Sequence, residues 1–327
     1  MNNLIENTQS TVVSQLPTNA RYFLGFLVTA AIFLTTSCSD TDQVNGELTI
    51  DPALGQAVFV EPADAANAFT LALETRDSEM FSKLLGADYP EILPIESIDA
   101  EDADNYLKAW KQVNTLLPQG EHKKLIAIGE GEWTLPIPIT KGDSGWYFDV
   151  DEGLERINIR RIGRNELATI QAVLAYYDAQ MEYAQQDRNG NGMLEYAQKL
   201  ISTADTHDGL FWEDEDGENV SPLGPLMADH TPGGGYHGYF YKIIKAQSDS
   251  AKGGAYSYML GNSMRSGFAL IAWPETYGKS GVMSFIVNHE GIVHEQNLGP
   301  DGAETAAAIT AYNPDENWVA VKEVSGP

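Results

Sequence analysis

Residues 165–186 carry apolar side chains at steps of three and four positions, which predicts a long amphipathic helix. Its apolar face is formed by Leu167, Ile170, Leu174, Tyr177 and Met181. After this segment the pattern changes to short β-prone runs divided by turn residues, at 238–246, 256–260, 267–273, 282–287 and 292–296. One long helix followed by consecutive strands restricts this part of the chain to an α+β fold with an antiparallel meander.

Helices are also expected ahead of this segment. A helical hairpin is predicted over 62–86, where Pro62 fits a first turn, Asp77 fits an N-cap and Gly86 fits a stop. A third helix is predicted near residues 100–116, which carry large apolar side chains at helical spacing.

Short strands follow these helices and complete a first domain over residues 55–155. They are predicted at 124–128, 133–139 and 146–150, and the prolines within 133–139 place that strand at an edge. Helices followed by strands predict a small α+β domain with a curved antiparallel sheet. The second domain, which contains the long helix and the meander, is predicted over residues 156–320.

The order of long helix and antiparallel strands in the second domain resembles the globular portion of type IV pilins and pseudopilins. The resemblance covers residues 165–298 and rests on order and pattern, with no shared motif. In pilins the helix continues from a membrane-spanning segment, whereas here it follows another domain. Pilus assembly therefore does not carry over to this chain.

The amino terminus predicts an export signal over residues 1–38, followed by a polar tether over 39–54. Residues 22–34 are an apolar run of signal-peptide length, and Arg21 precedes it. The run ends in Leu-Thr-Thr-Ser-Cys, and Cys38 is the single cysteine of the chain. This ending resembles a bacterial lipobox, in which the cysteine is acylated, and Ser39 then implies sorting to the outer membrane. The alternative is a secreted protein cut near Ser37.

Charge and cysteine content restrict the partners of the chain. Lys and Arg number 20 against 47 Asp and Glu, which gives a formal net charge of -27. That balance repels nucleic acid and anionic membrane surfaces, so contact with a membrane is expected through the lipid anchor only. We expect the partner to be an envelope protein or another envelope component on the periplasmic side. With one cysteine, stability must come from core packing, with bound metal as an added source.

The most specific chemical signal is a calcium-type loop directly after the long helix. Its front half has the spacing D-x-[DN]-x-[DN]-G of an EF-hand loop, through Asp187, Asn189, Asn191 and Gly192. Oxygens two residues apart converge on one point, and the glycine permits the sharp turn. The same composition also forms ordinary polar turns, because Asn and Gly both tolerate positive φ.

The back half of this loop predicts a weak site. Met193 would supply its backbone carbonyl, and Glu195 at the ninth position would bind directly or through water. Gln198 occupies the twelfth position, where a strong EF-hand has a bidentate Glu. We therefore expect calcium affinity at about 10⁻⁴ to 10⁻³ M, as in extracellular modules. A second short helix is predicted over 194–201, to complete a helix–loop–helix arrangement.

Other polar clusters do not form a recognisable catalytic set, and no catalytic residue is assigned. Four arginines (Arg156, Arg160, Arg161 and Arg164) suit an anionic ligand, although pairing with the protein's own acids is the favoured interpretation. His289, Glu290 and His294 lack the helical H-E-x-x-H spacing of zinc proteases. A nucleophile elbow, a Walker loop and a dinucleotide fingerprint are also missing from the sequence.

Several sequence blocks together resemble one exported bacterial family, known as domain of unknown function 2950. The blocks are 160–166 (RRIGRNE), 194–198 (LEYAQ), 208–212 (DGLFW), 221–226 (SPLGPL), 236–241 (YHGYFY), 267–274 (GFALIAWP) and 285–291 (FIVNHEG). The resemblance extends from about residue 57 to residue 318. It implies a periplasmic or envelope protein, and it brings no established activity.

These observations predict a non-enzymatic envelope lipoprotein, stabilised by calcium, with a binding or structural role. The alternative is a periplasmic hydrolase or other enzyme that acts on an anionic substrate in a cleft between the domains. It would use Arg160, Arg161, His237 or His289, and it requires these groups to converge.

Overall fold

The structure is a computed structural model that describes residues 48–87, 89–92, 100–213, 221–223 and 235–322. The predicted signal peptide with Cys38 lies outside the described residues, as do residues 39–47 of the predicted tether. Within the described ranges, no helix combines the length and the apolar character needed to cross a membrane.

The amino-terminal half places a short β-ladder and helices ahead of an antiparallel sheet. The ladder pairs β1 (Thr49–Asp51) with β2 (Gln56–Val58), and it is followed by α1 (Pro62–Thr75), α2 (Ser78–Leu85), α3 (Tyr89–Ile92) and α4 (Ala100–Gln112). The sheet contains β3 (Asn114–Pro118), β4 (Lys123–Ile128), β5 (Trp133–Thr134), β6 (Ile139–Lys141) and β7 (Trp146–Phe148). Its order is β3-β4-β6-β7, with β5 paired to β4.

The helical hairpin has the predicted ends. Asp77 caps α2, because its carboxylate accepts the N–H of Met80 at 3.0 Å. Gly86 ends α2 with a φ of 90°, which glycine adopts without strain. Phe69 of α1 then joins the helices to the sheet, since its ring lies 5.5 Å from those of Phe81 and Phe148.

The predicted strand over 133–139 is wrong as a single element. Trp133–Thr134 pairs with one end of β4, and a separate strand that begins at Ile139 pairs with the other end. Pro136 and Pro138 lie between these two strands, and a proline has no N–H to donate to a ladder. The prolines therefore divide the strand in two.

The long helix α5 (Val150–Tyr183) has 34 residues and begins well before the predicted start at residue 165. Asp149 caps it, because its side chain accepts the N–H of Glu152 at 3.1 Å. Glu152 pairs with Arg156 one turn further on, at 2.8 Å. The same carboxylate binds Lys123 on β4, which fixes the first turn of α5 to the amino-terminal sheet.

The carboxyl-terminal half is built on the predicted antiparallel meander. Its elements are β8 (Tyr239–Ile244), β9 (Ala246–Gln247), β10 (Tyr256–Ser257), β11 (Met259–Leu260), β12 (Ser263–Met264), β13 (Ala269–Pro274), β14 (Ser284–Asn288), β15 (His294–Gln296), α6 (Gly302–Ala308) and β16 (Val319–Ala320). A five-stranded sheet has the order β16-β15-β14-β13-β8. The pairs β9–β10 and β11–β12 form separate small ladders. The helices and antiparallel sheets confirm the α+β class.

The second half of α5 packs against β13 and β14 of this meander. The buried Tyr176 donates its hydroxyl to the carbonyl of Ala269 at 3.1 Å. Glu166 accepts the N–H groups of Val282 and Met283, both at 2.9 Å. Burial raises the pKa of Glu166, and burial together with the charge of Glu166 raises the pKa of Glu295 on β15.

The buried apolar residues form two clusters, and α5 contacts both of them. One cluster runs from Ala57 to Phe148, with Val150 packed against it, and the other runs from Val173 to Tyr312. The described residues nevertheless group as one compact unit. The division into domains at 55–155 and 156–320 stays a prediction, and α5 runs across its boundary.

Two glycines of α5 provide a test of how closely this helix meets the first sheet. A Cβ at position 153 would lie 2.8 Å from Cγ1 of Ile137 and 3.2 Å from its Cα, whereas a Cβ at Gly163 meets nothing within 4 Å. We expect Gly153→Ala to lower the free energy of unfolding by about 1–3 kcal/mol through overpacking. Gly163→Ala should raise it by about 0.5–1 kcal/mol through helix propensity. Chemical denaturation of both variants measures the difference, and equal effects would contradict the close contact.

The two acidic side chains between α5 and the meander predict a pH-dependent stability. Because the pKa values of Glu166 and Glu295 are raised in the folded state, their contribution is fully present below their ordinary pKa and falls as pH rises through the folded values. Glu295→Gln should therefore raise the melting temperature at pH 7 and leave it nearly unchanged at pH 4. The exposed Glu275→Gln is the matched control. A gain for Glu295→Gln that is equal at both pH values would exclude this coupling.

Candidate metal centre

The candidate calcium loop begins just after the end of α5. Asp187 folds the loop around its own carboxylate, because Oδ1 accepts the N–H of Asn191 at 3.0 Å and Oδ2 accepts the N–H of Gly192 at 2.8 Å. Gly190 and Gly192 have φ values of 72° and 82°, in the left-handed region that glycine adopts without strain. The sharp turn that the sequence predicts at Gly192 is therefore present.

Glu195 closes the loop with a buried carboxylate. The residue is 7% exposed, and its Oε1 accepts side-chain N–H groups from Asn189 and from Asn191, the latter at 2.7 Å. Its Oε2 is buried and has no hydrogen-bond partner among the described residues. An unsatisfied buried charged group costs about 1–3 kcal/mol or more. A cation beside this oxygen would remove that cost.

The short helix predicted over 194–201 is wrong. Gln180 of α5 accepts the N–H of Ala197 and donates to its carbonyl, both at 2.8 Å. Tyr196 forms a β-bridge with Met264 on β12. These bonds occupy backbone groups that a helix would need for its own turns. Extended chain follows the loop, and a helix–loop–helix arrangement is not formed at these residues.

The structure separates Gln198 from the rest of the predicted ligand set. Its Nε2 donates to the carbonyl of Asn262 at 2.6 Å, and its Oε1 accepts from Lys245 at 2.9 Å. Met193 stays in the loop, where its N–H donates to Oδ1 of Asn191 at 2.9 Å. Of the predicted ligands, Asn189 and Asn191 meet Glu195, whereas Asp187 and Met193 are bonded to other groups of the loop.

The positive charge inside the loop, on Arg188, contacts Trp212 and Glu182. The guanidinium of Arg188 lies 5.5 Å from the ring centre of Trp212 and 3.4 Å from the carboxylate of Glu182. Burial and, to a smaller extent, the carboxylates of Glu195 and Asp208 raise the pKa of Tyr183 to about 12, against the opposing effect of Arg188. Negative charge therefore dominates around the loop.

The donors in this loop are those of a hard cation. Carboxylate, amide and carbonyl oxygens suit Ca²⁺, which accepts irregular geometry more readily than Mg²⁺. In the described part of the chain, no three His, Cys, Asp or Glu side chains gather as a metal site. A cation here would depend on the amide oxygens of Asn189 and Asn191, whose side chains now donate N–H to Glu195. Binding would require these amides to turn.

The arginine cluster of α5 pairs less with acids than the sequence interpretation favours. Arg156 pairs with Glu152, but Arg160 binds the carbonyl and hydroxyl of Thr134 at 2.6 and 2.7 Å. Arg161 binds the carbonyl of Lys279 at 3.2 Å. Among the described residues these groups mainly meet neutral oxygens.

The groups proposed for the enzyme alternative do not all meet. Arg160 lies beside Thr134, whereas His289 packs edge-on against Tyr258 and its neighbour Gly291 contacts Tyr177 of α5. Residues 160 and 177 are about 25 Å apart along a helix with a rise of 1.5 Å per residue. Burial lowers the pKa of His289, which favours its neutral form.

Sequence reasoning missed Gln180, which positions the chain that leaves the loop. This residue is fully buried, and it also donates to the hydroxyl of Tyr176 at 3.1 Å. The available signal is a glutamine on the buried face of a predicted helix, four residues after Tyr176. A buried polar side chain needs partners, and an extended segment supplies them.

Comparison with known proteins identifies the family of the chain. Residues 56–321 match the family described as protein of unknown function (DUF2950). This confirms the family resemblance read from the sequence blocks. No curated protein and no solved structure matches the chain.

The orphaned oxygen of Glu195 predicts opposite effects of one substitution with and without calcium. Glu195→Gln should stabilise the chelated protein, because a neutral amide replaces a buried charge that lacks a partner. The same variant should lose the stabilisation by calcium. For the wild type, 10 mM calcium at the expected affinity adds about 1.4–2.7 kcal/mol. Thermal unfolding with EDTA and with calcium measures both effects.

Asp208→Asn is the matched control for this experiment. Asp208 binds Lys199 and Thr203 close to the loop, and these contacts hold its pKa below the ordinary range despite the opposing effect of burial. We expect this variant to melt earlier in both conditions and to keep the full calcium increment. A wild-type protein that is indifferent to 10 mM calcium would remove the metal from the site.

Proposed function

The chain belongs to the DUF2950 family, and we propose that it is a non-enzymatic protein of the bacterial cell envelope, with a binding or structural role that depends on weakly bound calcium. The observation that carries the proposal is the carboxylate of Glu195. It is buried, one of its oxygens has no partner among the described residues, and it faces Asn189 and Asn191. A cation is the ligand that this arrangement accepts best.

The proposal places the chain on the periplasmic side of the envelope, anchored at the outer membrane through lipid on Cys38. The apolar run over 22–34, the lone cysteine after it and Ser39 support this location. For the second half we propose a pilin-like arrangement, supported by α5 against the antiparallel sheet of β8 and β13–β16.

Calcium would act on a binding surface through the chain that leaves the loop. Tyr196 and Gln198 are bonded to the β11–β12 ladder, at Met264 and Asn262. Leu260 on β11 is 58% exposed, so this ladder presents apolar surface. A cation held by Asp187 and Glu195 fixes the start of this segment and thereby limits its motion. We therefore propose that calcium keeps this surface in one conformation.

The enzyme alternative has less support. It would use Arg160, Arg161, His237 or His289. Arg160 on α5 binds Thr134, whereas His289 is close in sequence to Gly291, which lies beside Tyr177 about 25 Å further along the helix. His237 is exposed and packs on Tyr236, with a φ of 51°. We therefore favour a binding or structural role.

A pull-down from native envelope tests the proposed role. We expect the wild-type protein to retain a partner in 5–10 mM calcium, at least about fivefold above the expected dissociation constant. EDTA and Glu195→Gln should each release that partner, because both leave the loop without its cation. Asp208→Asn should keep it.

Retention of the same partner in EDTA would contradict a calcium-dependent role, even if the metal binds. The anchor has a separate readout in the same fractions, since Cys38→Ser should move the protein from the membrane to the soluble fraction. A Cys38→Ser protein that stays with the membrane would exclude lipidation at this residue.

A further inference from the structure

We propose that the outward face of α5 pairs two copies of this chain as an antiparallel dimer. Leu167, Leu174 and Met181 are 47%, 40% and 43% exposed, and they recur every seven residues. The core-facing side of the same helix is formed by other residues, which include Val173 and Tyr176. The leucines therefore lie on the face of α5 that the described residues leave open. The inference goes beyond the proposed calcium role and does not depend on it.

A seven-residue apolar repeat is the pattern of a helix–helix seam. On a helix this spacing keeps the side chains in one nearly straight line, which a second helix covers at an interaxial distance of about 8–10 Å. Single exposed leucines are common on protein surfaces, but an aligned series on one helix is more specific. The apolar stripe therefore fits a partner helix.

The charged side chains beside the apolar stripe favour a second copy of this chain as the partner, with its helix antiparallel. Arg164 and Asp178 are both exposed, and they lie seven residues before and seven residues after Gln171. In an antiparallel pair centred on Gln171, Arg164 of each copy faces Asp178 of the other, and Leu167 lies one position from Leu174. A parallel pair would place Arg164 against Arg164. The surface is thus self-complementary under a two-fold axis, as an isologous interface requires.

The arginine cluster supports an acidic partner for this face. Residues 156–164 contain four of the eight arginines of the chain and no acid. Within the described residues, the ion pairs of this segment are limited to Arg156 with Glu152. Arg164 is exposed one turn from the apolar stripe, and a second copy brings Asp178 to it. The neutral oxygens that hold Arg160 and Arg161 keep the cluster ordered without cancelling its charge.

The net charge of -27 makes two copies of the chain repel each other. The attraction that holds a dimer must therefore come from side chains close to the interface. At physiological ionic strength the Debye length is about 8 Å, which screens most of the repulsion between distant acids. Paired charges a few ångströms apart are screened less. A single helix pair buries an area at the low end of specific interfaces, which is consistent with a dissociation constant of about 1–100 μM.

Sedimentation of the purified protein over a concentration series tests the dimer. We expect a reversible monomer–dimer equilibrium in which Leu174→Glu raises the dissociation constant at least about thirtyfold. Leu54→Glu is the matched control, because Leu54 is 41% exposed, as Leu174 is 40% exposed, and it lies outside α5 between β1 and β2. It should leave the equilibrium unchanged. Wild-type protein that stays monomeric at 500 μM would overturn the proposal.

A charge exchange tests the direction of the pair. Arg164→Asp and Asp178→Arg should each weaken the dimer about tenfold, and the double variant should restore it. A dimer that tolerates either single change, or that the double variant does not restore, contradicts the antiparallel arrangement. In a Cys38→Ser background, Gln171→Cys should form an intermolecular disulfide quickly, and Leu54→Cys should not. A monomer that binds anionic polysaccharide through the arginines would assign this face to a different partner.

Discussion

The long helix α5 is the element on which the rest of the structure depends, because both hydrophobic clusters are packed against it. Its first turn is fixed to the amino-terminal sheet by Glu152 and by the contact of Gly153 with Ile137. Its second half packs against the meander through Tyr176 and through Glu166. Because the helix is bonded to both sheets, its own position is fixed by contacts along its length. The candidate loop follows directly after the end of α5, so the position of the loop depends on the same packing.

The apolar period of residues 165–186 predicted the second half of α5, although Leu167, Leu174 and Met181 of the predicted apolar face are exposed. The buried side of this half is formed by other residues, which include Val173 and Tyr176. Over 150–164 the contacts are made by a glycine, a partly buried ion pair and arginines bound to carbonyl groups, and none of these produces an apolar period. Conversely, residues 194–201 have a helical composition, and the two bonds from Gln180 override it. Local pattern cannot show such long-range contacts.

The candidate site also has one part that the sequence predicts and another part that depends on tertiary contacts. The turn around Asp187 was predictable, because its bonds join residues at most five apart. The burial of Glu195 was not, since it depends on how the chain after the loop joins β12 and Gln180. The prediction of Gln198 as the twelfth-position ligand did not anticipate the contacts of its side chain, for the same reason. Gln198 binds Asn262 and Lys245, which lie in a distant part of the sequence. The spacing of residues along the sequence predicts the hydrogen bonds that a loop makes within itself. The contacts of its other residues are determined by the tertiary structure.

An acidic protein gains specificity when its few cations are concentrated. Spread evenly, 20 basic residues among 47 acids would leave every surface negative, and each copy would repel every other in all orientations. The four arginines of residues 156–164 instead create a locally positive surface on α5. Repulsion between the acidic surfaces of two copies then disfavours most orientations, and only an orientation that brings acidic side chains to this segment is favoured. In a second copy those acids lie on the same helix, beyond Gln171, which makes the helix its own best partner.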